Sequence, residues 1–141
     1  MDIKTALAFM DREHRSIVTA FRRDGKAQMS IVVSGPLDGH VVFVVRENTA
    51  KLANLRRDPG CTVLNVSPDW SGYVAVEGAA EIKGWGNTAA DSLRPLLRDA
   101  FRACGGGEHP DWQEYDRVME EERRAVVMAR PERVYGFARG S

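Results

Sequence analysis

Short runs of β-branched residues recur along the chain and predict a fold made mainly of strands. Turn residues separate several of them, such as Asp24-Gly25 after the first run and residues 35–39 after the second. Gly78 lies in the middle of the longest run and indicates a bulge or a bend. The seven predicted strands are residues 16–21, 28–34, 41–45, 61–66, 73–83, 125–129 and 133–137.

Apolar residues at helical spacing predict four helices between these strands. The segments are residues 2–10, 49–56, 87–104 and 110–123. Thr49 is the predicted N-cap of the second helix, and either Asn87 or Thr88 is that of the third. Pro95 predicts a kink in the third helix or marks its true start, and glycines 105–107 predict its end. Strands with helical inserts favour an α+β fold built on a small antiparallel β-barrel.

The length and the charge of the chain limit what it can be. A chain of 141 residues has the size of one domain, so residues 1–141 are predicted to form a single domain. The 20 Lys and Arg residues balance the 20 Asp and Glu residues, which argues against nucleic acid or an anionic membrane as a partner. No apolar run approaches the ~20 residues of a membrane span, and residues 1–12 do not resemble a signal peptide. We therefore expect a cytoplasmic protein.

The residue types that usually carry out catalysis are not arranged for it in the sequence. Cys61 and Cys104 lack the spacing of metal ligands and are predicted to be structural thiols. His14, His40 and His109 lie far apart in the chain, so no metal site is expected. No serine lies in a nucleophile-elbow motif. Catalytic residues stay unknown, and the chemistry would have to come from an organic cofactor that the protein binds and orients.

The start of the second predicted helix is a candidate anion site. Lys51 lies in the first turn after the Thr49 cap. A cation in that position opposes the helix dipole unless an anion is also present. Arg46, Thr49 and Lys51 could together hold a phosphate group. Spacing alone leaves open the alternative of a capped surface helix with solvated basic residues.

Four further segments occur in a characteristic order. The most specific is Asn54-Leu55-Arg56-Arg57-Asp58-Pro59, which follows Lys51 on a short helix. The others are Asp24-Gly25 followed by Ser30-Ile31-Val32, then residues 76–80, then residues 133–137. With these segments, roughly residues 3–137 resemble the pyridoxamine 5'-phosphate oxidase-like split-barrel family, and within it the deazaflavin-dependent branch that uses coenzyme F-420.

The resemblance implies a mainly antiparallel, six-stranded split β-barrel with helical inserts that forms a homodimer. It also implies a flavin or deazaflavin in the groove between the two subunits, with F-420 as the first choice of cofactor and FMN as the second. Lys51 would meet the cofactor phosphate, with help from Arg46, Thr49 and Ala50. The strand from Met29 to Val33 would run along the cofactor ring with its backbone.

The remaining candidate residues surround this groove. Val44 and Val45 stand where the family often has Ser or Thr, so a hydroxyl contact to the ring is absent. Arg56 is a candidate for the anionic tail of F-420, and Trp70 for a second wall of the groove. Their alternative roles are a solvated helix-end cation and a loop anchor. Arg133 begins an Arg-Val-Tyr sequence where the pyridoxamine phosphate oxidases have Arg-x-His, so their substrate is not expected here. The candidate cofactor-binding residues are Met29, Ser30, Ile31, Val32, Val33, Val44, Val45, Arg46, Thr49, Ala50, Lys51, Arg56, Trp70 and Arg133.

Two functions are compatible with these residues. The first is an oxidoreductase that transfers a hydride between a reduced deazaflavin, or FMN, and a small conjugated organic substrate. The second is a non-catalytic split barrel that binds or senses a flavin or haem. Both would use the same groove, so the sequence leaves them open.

Overall fold

The computed structural model describes residues 1–138, which form seven β-strands and four α-helices. The strands are β1 (Arg15–Phe21), β2 (Ala27–Val33), β3 (Gly35–Leu37), β4 (His40–Arg46), β5 (Gly60–Val66), β6 (Tyr73–Lys83) and β7 (Arg124–Phe137). The helices are α1 (Ile3–Met10), α2 (Ala50–Arg57), α3 (Ala90–Phe101), which one π-helical turn (Arg102–Gly106) extends, and α4 (Trp112–Glu121). In this range the longest α-helix has 12 residues, fewer than a bilayer crossing requires.

All seven strands belong to one sheet in the order β2-β1-β5-β6-β7-β4-β3, and every neighbouring pair is antiparallel. The sheet curls until β2 also contacts β4, which closes it into a half-barrel. The predicted α+β class and the antiparallel sheet are confirmed. The split barrel that the resemblance implies has six strands, whereas this sheet has seven, because β3 is a separate strand.

Strand β4 and residues 125–129 of β7 are buried on both faces, which explains why these segments are continuous apolar runs rather than alternating ones. Their inner-face residues join α1 and α2 in the core of the barrel, and their outer-face residues pack under α3 and α4. The inner set is Val41, Phe43, Val45, Ala125, Val127 and Ala129, and the outer set is Val42, Val126 and Met128. Two cores therefore share one pair of strands.

Residues 124–137 form one continuous strand, so the prediction of two strands separated by residues 130–132 was wrong. The register with β6 shifts between Glu77 and Gly78, and this bulge takes up the extra residue next to Pro131. A proline lacks the N–H that a regular ladder needs, and a bulge tolerates it. A Cβ on Gly78 would lie 2.3 Å from the Arg130 carbonyl oxygen, so only glycine permits this close approach. The bulge predicted at Gly78 is confirmed.

Strand β3 lies where a turn was expected over residues 35–39. Only Asp38 and Gly39 turn, both with positive φ, while Gly35–Leu37 pairs with β4. Because β3 is at the edge of the sheet, the N–H that Pro36 lacks is not needed for hydrogen bonds on both sides of the strand.

Helix α3 begins at Ala90, so the predicted caps Asn87 and Thr88 were wrong. The Asn87 side chain is used in the preceding turn, where it accepts the Gly84 N–H and donates to the Ile82 carbonyl, each at 2.8 Å. The residue that does precede the helix, Ala89, makes no side-chain cap. Pro95 lies inside the helix rather than at its start.

A buried polar network fixes the end of β2. The hydroxyl groups of Ser16 and Ser34 are 2.6 Å apart, and the Asn65 side-chain amide donates to the Glu13 carbonyl at 2.6 Å. The Nδ1 atom of His14 lies 2.9 Å from the Ser34 carbonyl oxygen. Buried polar groups are costly unless they are paired, so this network sets where the chain leaves β2 for β3.

Candidate functional site

A groove of about 360 Å³ lies where β2 and β4 approach the start of α2. Its lining contains eight of the sequence-predicted residues and one residue that the sequence did not indicate. They are Ile31, Val32, Val33, Val44, Val45, Arg46, Thr49 and Lys51, and the additional residue is Arg124. The curl of the sheet brings these segments together although they are distant in the chain.

Thr49 is the N-cap of α2, as predicted. Its hydroxyl oxygen accepts the Leu52 N–H at 3.3 Å, and its hydroxyl donates to the Arg46 carbonyl at 3.0 Å. The backbone N–H groups of Ala50 and Lys51 have no hydrogen-bond partner among residues 1–138. Two unpaired amides at the positive end of a helix dipole are suited to an anion.

The charges at this end of the groove are predominantly positive. Glu122 bridges two arginines, at 2.8 Å from Arg46 and 3.0 Å from Arg124, and these arginines face each other across the β4–β7 ladder. Lys51 adds a third cation to the lining. Three cations therefore line this end of the groove, and Glu122 pairs with two of them. Like charges in such proximity repel each other, and an anionic ligand would relieve that repulsion.

The pKa of Lys51 is lowered below its usual value, first by burial and second by the positive charge of Arg124. The folded protein therefore binds this proton less tightly than the unfolded chain does, and the charged ammonium group opposes folding at neutral pH. A bound phosphate would reverse that effect by favouring the charged form. The donor set consequently fits the phosphate of a flavin-type cofactor.

The other end of the groove is apolar. Val44 and Val45 line it without a hydroxyl, and Ile31 and Val33 reach it from β2. On the outer side of β2, Met29, Ile31 and Val33 form a stripe of exposed apolar side chains, with Ile31 84% exposed. A groove with a cationic end and an apolar end matches a ligand that carries a phosphate on one side and a ring on the other.

Six predicted residues do not line this groove. Met29 and Ser30 continue β2 away from it, and Ala50 contributes its backbone at the start of α2 rather than a side chain in the groove. Arg56 lies in the last turn of α2 and forms an ion pair with Glu47.

Trp70 and Arg133 also lie outside the groove. Trp70 is 85% exposed in the loop between β5 and β6, with a positive φ of 62°. The Arg133 guanidinium group lies 6.0 Å from the Tyr135 ring centre on β7. Within one chain, neither side chain contributes to the groove.

A larger cavity of about 410 Å³ adjoins the groove, between the outer face of the sheet and helices α3 and α4. The two share Val33, Val44 and Arg124. The sequence reasoning assigned the apolar residues of α3 and α4 to packing and did not indicate a cavity. Arg124 was missed because its place opposite Arg46 follows from strand register, and the sequence signal was only a basic residue after an acidic run.

Solved structures with the same fold include proteins of different activities. An F420 reductase superposes with a TM-score of 0.67 at 17% identity, over 91% of this chain and 94% of that one. A candidate pyridoxamine 5'-phosphate oxidase from Listeria innocua has a TM-score of 0.67 at 14% identity, over 96% and 97%. A haem-binding protein from Mycobacterium smegmatis has a TM-score of 0.69 at 18% identity, over 99% of this chain and 54% of that one.

These likenesses establish the split-barrel fold that the sequence resemblance implied. No protein-family model matches the sequence. Identities below a fifth do not carry function from one protein to another, since one fold supports several activities. Function must be argued from the groove and the cavity.

The cationic end of the groove predicts the effect of one substitution on stability. In the absence of ligand, Lys51→Ala should leave the free energy of unfolding unchanged or raise it by up to about 1 kcal/mol, because Ala favours the helix and the repulsion from Arg124 is removed. Chemical denaturation at neutral pH measures this difference. Leu52→Ala is the control, since Leu52 is fully buried and its truncation should cost about 2–5 kcal/mol. A loss of more than about 1 kcal/mol for Lys51→Ala would mean that Lys51 is a structural residue.

Proposed function

We propose that the protein is an oxidoreductase that transfers a hydride between a reduced deazaflavin, or FMN, and a small conjugated organic substrate. The observation that supports this most is the continuity of one groove, which is cationic at the start of α2 and apolar between β2 and β4. The fold neighbours are compatible with it, because an F420 reductase is among them.

The phosphate of the cofactor would be held by Lys51, by the Thr49 hydroxyl and by the amides of Ala50 and Lys51, which have no partner among the described residues. Arg46 and Arg124 add positive charge on the opposite side. Val44 and Val45 would keep water away from the cofactor ring, which strengthens every electrostatic contact in the groove. When bound, the cofactor supplies the redox chemistry, and the protein contributes binding and orientation.

Among the residues that the structure describes, the one thiol and the one phenol that line the adjoining cavity are poor proton donors. Burial raises the pKa of the Cys104 thiol to about 12 and, as the main cause, that of the Tyr115 hydroxyl to about 12. Both groups therefore stay protonated at neutral pH and release a proton poorly. We propose that any proton the reaction needs comes from solvent or from the cofactor.

The rival function is a split barrel that binds a flavin or haem and catalyses nothing. A haem-binding protein among the fold neighbours makes this a specific alternative. Turnover separates the two. The purified protein would be given reduced F-420 or reduced FMN together with a panel of conjugated electron acceptors, and cofactor oxidation would be followed by absorbance. An oxidoreductase consumes the reduced cofactor in step with the acceptor, and a binding protein does not.

We propose that the working assembly is a homodimer. The apolar stripe of Met29, Ile31 and Val33 borders the groove, and a second copy of the chain would cover it. Trp70 and Arg133 would then act from the partner subunit, as a second wall of the groove. Their exposure within one chain is compatible with that role.

Lys51→Ala should weaken cofactor binding much more than it changes stability. Loss of a charge-assisted contact to a phosphate costs about 1.5–3 kcal/mol, or about 10- to 150-fold in dissociation constant. Titration with F-420 and with FMN measures the effect. Lys26→Ala is the matched control, because Lys26 is exposed in the β1–β2 turn, at the far end of β2 from the groove. Unchanged affinity of Lys51→Ala for both cofactors would exclude the phosphate role.

F-420 should bind more tightly than FMN and lose more affinity as the salt concentration rises. FMN has one terminal phosphate, whereas F-420 carries a phosphate within its chain and an anionic glutamate tail, so it engages more positive charges. Titrations of both cofactors at two ionic strengths test this expectation. FMN that co-purifies at full occupancy from a host without F-420, together with no measurable F-420 binding, would identify an FMN protein instead.

Ile31→Asp should convert the proposed dimer into monomers, because a carboxylate in an apolar interface loses its hydration without gaining a partner. Sedimentation at micromolar concentration measures the assembly. Gln113→Asp, on an exposed position of α4, should leave the dimer intact. A wild-type protein that sediments as a monomer with its cofactor bound would contradict the shared groove.

A further inference from the structure

The cavity between the sheet and helices α3 and α4 is larger than a packing defect. Its volume is about 410 Å³, and an apolar protein cavity of roughly 150 Å³ already admits benzene. Val33 and Val44 form its floor on the sheet side, where the groove begins. A molecule in this cavity would therefore border a ligand in the groove.

The helical side of the cavity is built from aromatic rings. The rings of Phe101, His109, Trp112 and Tyr115 pack with centres 5.2–5.7 Å apart, mostly edge to face. Three of the four line the cavity directly. A Cβ on Gly106 would lie 2.5 Å from the Phe101 ring, so a side chain there would displace that ring. Aromatic walls of this kind favour a flat, apolar ligand.

Most polar groups that face the cavity already have partners within the protein. The Tyr115 hydroxyl donates to the Leu97 carbonyl at 2.7 Å, and the Cys104 thiol donates to the Val42 carbonyl at 3.5 Å. Two charged side chains also line the cavity, and each forms an ion pair, Glu114 with Arg117 and Arg124 with Glu122. A neutral ligand would therefore meet few unpaired charges in these walls.

His109 is different, because one of its ring nitrogens is available. Its Nδ1 atom accepts the Asp111 N–H at 2.9 Å, which places the proton of the neutral ring on Nε2. Within the described residues, Nε2 has no hydrogen-bond partner. The cavity therefore has an N–H donor in a mainly apolar wall.

We propose that this cavity binds the substrate of the oxidoreductase, a flat, uncharged aromatic or conjugated molecule, and that His109 Nε2 donates a hydrogen bond to an acceptor oxygen or nitrogen on it. The proposal rests on the function proposed above, and it adds the place and the chemical class of the substrate. Binding of such a substrate needs no charged side chain, in contrast to phosphate binding at the cationic end of the groove.

The first test fills the cavity. A propionyl dimethylaminonaphthalene dye is flat, neutral and carries one carbonyl acceptor, and its fluorescence reports its environment. Val118→Trp places a large ring on a half-buried residue of the cavity lining and should weaken dye binding by more than about tenfold. Gln113→Trp adds the same side chain to an exposed position of α4 and should bind the dye as the wild type does. Equal dye affinity in Val118→Trp and wild type would overturn the proposal.

Cofactor titrations of the same variants separate this proposal from the proposed function. F-420 and FMN should bind Val118→Trp with unchanged affinity. If cofactor affinity falls together with dye affinity, the cavity holds the cofactor ring, and the substrate assignment is wrong. If the wild type binds neither cofactor, the proposed function fails, and the assignment of the cavity to an oxidoreductase substrate fails with it.

The second test isolates the hydrogen bond and does not depend on a filled cavity folding normally. His109→Phe keeps a ring in the cluster and removes the N–H donor, so it should weaken binding of the propionyl dye by about 2- to 13-fold. Dimethylaminonaphthalene without the propionyl group, measured by competition, should bind the variant and the wild type equally. Equal weakening of both compounds would show a packing role for His109 and would overturn its assignment as a donor.

Discussion

The ladder between β4 and β7 is the constraint on which the rest of the structure depends. Most of its valines and alanines are buried, on both faces of the sheet, and full burial of one valine side chain contributes about 1.5–3 kcal/mol. Because both faces must be covered, α1 and α2 pack on the inside and α3 and α4 on the outside. The same ladder places Arg46 opposite Arg124, at the mouth of the groove. Packing and site geometry thus have one origin.

The groove and the cavity have different chemistry and are suited to different ligands. At the start of α2, two amides without a partner among residues 1–138 and three cations face the groove, an arrangement suited to an anion. Between β2, β4 and the helices, the surfaces are apolar or aromatic and most polar groups are internally paired. On our proposal, a ligand with a charged end and a flat end lies along the groove, and a flat, uncharged ligand lies beside it in the cavity. Such a site can bind and orient its ligands, and it contains few side chains that could act as a general acid or base.

Local physical rules predicted much of this molecule. The Thr49 cap, the bulge at Gly78 and the antiparallel α+β sheet were predicted correctly, because caps and strand patterns depend on neighbouring residues. The prediction failed where a tertiary contact overrides a local signal. Pro131 resembles a strand break, but a bulge beside Gly78 accommodates it. Asn87 resembles a helix cap, but its side chain is used in the preceding turn.

By itself, the sequence determined most of the elements, their order and the residues at the start of α2 that are suited to a phosphate. Each of these follows from spacing within a few residues. Only the tertiary structure decided that β2 would approach β4, that Arg124 would stand opposite Arg46, and that α3 and α4 would leave a cavity against the sheet. The helical pattern shows which face of α3 or α4 is apolar. It does not show whether the sheet packs closely against that face or leaves a gap. Register and packing gaps are set by contacts between residues distant in the chain, and no local pattern encodes them.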